Sequence, residues 1–73
     1  MNNLYFTQSL NVAAWLISKE FKVVGKIHNN NITTFYFEKN NKLHKEVDNY
    51  NNNEELKKFI SAFREVKKII KEV

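Results

Sequence analysis

Apolar and polar positions alternate with two different periods along this chain, and the switches between them mark its elements. Leu4-Tyr5-Phe6-Thr7 is a short β-prone run. Thr7 or Ser9 then caps a predicted helix that reaches about Glu20. On its wheel Leu10, Ala13, Ala14 and Ile17 share one face, with Leu16 at the edge. Trp15 falls nearly opposite them, so it is expected either part-exposed or covered by a second element.

The period drops to two between Phe21 and His28. Phe21, Val23, Gly25 and Ile27 should point one way, and Lys22, Val24, Lys26 and His28 the other. Asn29-Asn30-Asn31 reads as a turn, because asparagine tolerates positive φ. Ile32 to Glu38 is the return strand of a hairpin. Its TFYFE segment holds three successive rings, which the pleat sorts onto two faces. Phe35 and Phe37 should face the core. Tyr36 should lie outside, with Thr34, Lys22 and Lys26.

After Asn40 the period returns to that of a helix. Leu43, Val47 and Tyr50 mark a short one, ended by Asn51 to Asn53, which also supplies the next N-cap. A final helix from about Glu54 to Lys71 carries a continuous apolar stripe of Leu56, Phe59, Ile60, Phe63, Val66 and Ile70. The predicted architecture is a single α+β domain over residues 1–73, in the order β-α-β-β-α-α, with the helices on one face of a small antiparallel sheet.

Composition narrows the function classes. With 73 residues, 42% of them hydrophobic, the chain is too apolar for disorder yet small enough that its core is marginal. It contains no cysteine, so neither a disulfide nor a cysteine metal site can compensate. The longest apolar run, Val12 to Ile17, is far short of the roughly 20 residues of a membrane span, and MNNLYFTQSL lacks a basic leader region. A cytoplasmic protein is expected. The net charge of +4 suits a nucleic-acid or acidic-protein partner, but it also serves solubility alone. Asparagine is abundant, and it clusters at the expected turns.

The blocks YFT, AAWLISKEF, TFYFE, VDNY and FREVKKII, with their spacing, resemble a family of small bacterial and phage proteins classed as a domain of unknown function. The likeness covers nearly the whole chain. It departs at Glu20-Phe21, where such sequences often have glycine. The resemblance implies a compact single domain, encoded on a phage or other mobile element, and brings no activity, cofactor or binding residue with it.

Catalysis is not expected. The two histidines, His28 and His44, sit at a hairpin tip and on a short surface helix. His44 and Asp48 are i, i+4 neighbours, a spacing that on a surface helix more often gives a solvated pair than a metal site. The chain has no nucleophile elbow and no glycine-rich loop, since Gly25 is its only glycine. No catalytic residue, metal or cofactor is predicted.

Two surfaces suit nucleic acid. On the last helix Lys57, Arg64, Lys68 and Lys71 fall within about 60° of arc beside the apolar stripe, with Glu65 and Glu72 diluting the row. The bland alternative is a solvated lysine face that covers the edge of that stripe. On the sheet, Lys22, Lys26, Tyr36 and Tyr5, with His28, would combine charge with rings on which bases stack. There the bland alternative is a Tyr5–Tyr36 cross-strand pair or a dimer interface. The leading expectation is a nucleic-acid-binding accessory protein. The competing one is a protein-interaction module, either an oligomer subunit such as a homodimer or an inhibitor of a host or defence protein, anchored by Trp15, Tyr36 and Tyr5.

Overall fold

The computed structural model describes residues 3–71. The elements run β1 (Leu4–Thr7), α1 (Leu10–Ser18), β2 (Val23–Asn29), β3 (Ile32–Glu38), α2 (Asn41–Asn52) and α3 (Glu54–Lys71). The order is the β-α-β-β-α-α expected of an α+β domain. Spatially the sheet is β1-β3-β2, antiparallel throughout, so the hairpin's return strand is central and β1 adds to its free side.

Local chemistry explains the boundaries. Ser9 caps α1, its hydroxyl accepting from the Val12 amide at 3.1 Å, while Thr7 Oγ1 accepts from the Ser9 amide at 3.1 Å. Asn40 caps α2 through the Leu43 amide at 2.8 Å, and Asn53 caps α3 through the Leu56 amide at 3.0 Å. Asn30 and Asn31, with φ of 52° and 67°, make the tight hairpin turn. The end of α1 is a Schellman motif, with Phe21 N–H donating to Leu16 O at 3.0 Å and Glu20 N–H to Ile17 O at 2.9 Å. Glu20 holds the left-handed position, φ 72°, that usually falls to glycine.

The core is small. Leu16, Phe37 and Leu43 are wholly buried, Ala13 and Tyr50 nearly so, and Tyr5, Val12, Trp15, Phe21, Phe35 and Val47 pack around them. Phe37 thus lies beneath α1 and α2 and Phe35 packs beside it, as the pleat required, while Tyr36 points the other way. The buried face of α1 differs from the wheel expectation. Ala13 and Leu16 are its centre, whereas Leu10, Ala14 and Ile17 are exposed. The face is chosen by α2, which packs on the Trp15 side, and the helix's local pattern carried no information about that neighbour.

The last helix departs furthest from expectation. The helices were expected to pack together on one face of the sheet, yet no residue of α3 is buried. Leu56 and Ile60 are half-covered near its start, and every residue from 61 to 71 is exposed. The molecule is accordingly elongated, 48 × 31 × 16 Å.

Candidate interaction surface on the last helix

Asn53 starts α3, and Glu54 and Glu55 in the first turn and Lys68 and Lys71 in the last complement the helix dipole. An 18-residue helix is about 27 Å long, so its second half extends past the two turns that touch the body. One side of it is apolar. Phe59 and Phe63 stack with centroids 6.4 Å apart and planes 15° from parallel, and they are 66% and 54% exposed. Val66, Ile69 and Ile70 continue the apolar surface. Beside its first half, Leu10 of α1 joins Phe59, Ile60, Phe63 and Arg64 in lining a groove. Lys67 places its ammonium 5.5 Å from the Phe63 ring, a cation–π contact at the edge of this groove.

The basic row expected on this helix exists. Lys57, Arg64, Lys68 and Lys71 are all exposed, with Lys57 Nζ 5.6 Å from the Tyr50 ring. Glu65 is exposed beside them, and Glu72 lies outside the described residues.

The basic and aromatic sheet face does not assemble. Directly paired residues of an antiparallel sheet share a face. Tyr5 pairs with Phe37, so it lies on the helix side, where burial raises its hydroxyl pKa above the usual 10.0 and its ring meets His44 edge-on at 6.3 Å. A register shift between Val23 and Gly25 reverses the second half of β2, so Lys26 pairs with Phe35 and His28 with Thr33, both on the helix side. His28 Nδ1 lies 2.6 Å from Thr33 Oγ1. Lys22 precedes the strand altogether. Of the five residues proposed for that surface, only Tyr36 is on the outer face.

What occupies the outer face is apolar. Phe6 pairs with Tyr36, rings 6.1 Å apart, flanked by Leu4, Ile27 and Ile32. Ile27 was expected in the core, and the bulge put it here. Phe6 was legible from its alternation with Tyr5, once the β1–β3 register placed Tyr5 inside.

Trp15 is not a free anchor. Its indole N–H is shared between Glu46 O at 3.1 Å and Glu46 Oε1 at 3.2 Å, its ring lies 6.1 Å from Tyr50, and Lys19 Nζ sits 4.7 Å from it. It ties α1 to α2. Among the described residues no group of three His, Cys, Asp or Glu could hold a metal, and no helix is long and apolar enough to cross a membrane.

These features define a small α+β domain whose core is closed by two helices while a third, amphipathic one stands largely clear. The chain belongs to the family described as a domain of unknown function (DUF5659), whose model matches residues 2–72. No protein of curated function and no solved structure matches it.

Proposed function

We propose that this domain is a protein-interaction module that docks through the apolar face of α3. One observation carries the reading: the longest apolar stripe in the chain lies outside the core, with Phe59, Phe63, Val66 and Ile70 each half or more exposed. Soluble domains rarely leave so continuous a patch wet without using it. An amphipathic helix with anchors at i, i+4, i+7 and i+11 is a common way for one protein to fill the groove of another. Phe59 and Phe63 are the anchors, since stacked aromatics supply large area at little entropic cost. The flanking Lys57, Arg64, Lys68 and Lys71 make docking on this face depend on ionic strength. The phage or mobile-element setting implied by the resemblance fits such an accessory role.

The test separates docking from core. In dilute protein, replacing Phe59 and Phe63 by Ser should remove the share of bis-ANS binding that α3 supplies, leaving that of the outer sheet face, and shift the thermal midpoint by only a few degrees. A collapse of the midpoint would show that the stripe holds the domain together, and the reading would fall.

The exposed basic row favours a second reading, nucleic-acid binding through α3. Four phosphate contacts predict that log K falls against log salt with a slope of about −3 to −4, and that Gln at Lys57, Arg64, Lys68 and Lys71 flattens it. Affinity unchanged between low and high salt would exclude this reading.

A further inference from the structure

We infer that the occupant of the α3 face is a second copy of this chain, in an antiparallel α3–α3 pair; the inference rests on the docking reading above. Leu56, Phe59, Phe63, Val66 and Ile70 are separated by three, four, three and four residues. That is the 3.5-residue period of a two-helix seam, in which each apolar side chain inserts between residues of the facing helix. A two-fold interface needs a self-complementary surface, and this stripe provides one. With the axis close to Phe63, the layers become Phe63 against Val66 of the second copy and Phe59 against its Ile70.

The direction follows from the helix dipoles and from shape. Antiparallel pairing opposes the two helix dipoles, which a parallel pair would set side by side. The groove between Leu10 and the first half of α3 then receives the second half of the other copy's α3, which has nothing of its own chain to lie against. A parallel pair would leave that groove without an occupant.

The area suffices. Leu10, Phe59, Phe63, Val66, Ile69 and Ile70, each half or more exposed, present roughly 600 Å² per copy, so a pair that covers all of it buries at most about 1,200 Å², the lower bound of specific interfaces. The helix itself also gains. Residues 61–71 hold their turns without packing, and short helices of this kind are marginal in water until a face is covered.

Light scattering over a dilution series tests the pairing. The expected mass is twice the chain's 8.7 kDa, falling to one copy on dilution. Phe63→Glu, which sets two carboxylates near the axis, should weaken the dimer by at least about 100-fold while Trp15 fluorescence, reporting the α1–α2 contact, stays native. Because the chain lacks cysteine, direction can be read from cross-links. Phe59→Cys and Ile70→Cys chains should link when mixed and oxidised, and Phe59→Cys alone should not. A mass of one copy at every concentration, or links from Phe59→Cys to itself or to Ile27→Cys on the outer sheet face, would overturn the pair. A monomer that still binds bis-ANS through Phe59 and Phe63 would overturn self-pairing while leaving the docking reading intact; a monomer with no such binding would remove both.

Discussion

Glu20 and Gly25 are in each other's conventional places. Glu20 sits at φ 72°, where a side chain crowds its own carbonyl, while Gly25 has no positive φ and its added Cβ would meet only Tyr36 Cβ at 4.0 Å. Glu20→Gly should therefore stabilise the fold by about 0.5–1 kcal/mol and raise the thermal midpoint by several degrees. Gly25→Ala should be neutral or mildly stabilising, since ordinary contact replaces an entropic penalty. Caps are read just as locally. Asn40→Ala removes the acceptor of the Leu43 amide and should cost about 1 kcal/mol in urea unfolding. Burial holds the Tyr5 hydroxyl above its ordinary 10.0. An acid with a raised folded pKa keeps its stabilising contribution below the unfolded value and loses it as pH rises past the folded one. Tyr5→Phe should thus lessen the fall in stability above about pH 10.

The two kinds of apolar helix face make the clearest contrast among the elements. Leu16 on α1 and Leu43 on α2 are wholly enclosed, and truncating either to Ala should cost about 2–5 kcal/mol by leaving a cavity over Phe37. Phe63→Ser on α3 should change the stability of the dilute chain by well under that, because its ring is 54% exposed. A pattern-based ranking would reverse this order, since α3 has the most regular stripe in the chain. Periodicity reports that a face wants cover. It does not report whether the cover comes from the same chain. The β2 bulge teaches the same lesson for strands: one extra residue at Val24 moves Lys26 and Ile27 to the sides opposite those that strict alternation assigns.

Taken whole, the domain is a thin one, with three side chains fully enclosed and a helix standing off from them. Such a molecule has a small margin of stability, and anything that binds only the folded form adds to it. If α3 pairs with α3, the thermal midpoint should rise with protein concentration, and Phe63→Glu should remove that dependence. A midpoint independent of concentration in the wild-type chain would contradict the pair from a direction unrelated to cross-linking. The apolar outer sheet face of Leu4, Phe6, Ile27 and Ile32 is a second exposed surface, but groove and spacing converge only on α3.

Element order, the asparagine turn, the caps of the first and last helices, the inward turn of Phe37 and the basic row on the last helix were all readable from residues. Each depends on neighbours within a few positions, where propensity, capping and side-chain alternation act. The surface of the sheet, the buried side of α1 and the fate of Trp15 were not, because a bulge and the docking of α2 set them over separations such as that from Trp15 to Glu46. Only the tertiary arrangement decided that the helix with the strongest apolar stripe would stay uncovered: hydrophobic burial is non-directional, and the small core was already closed by α1 and α2.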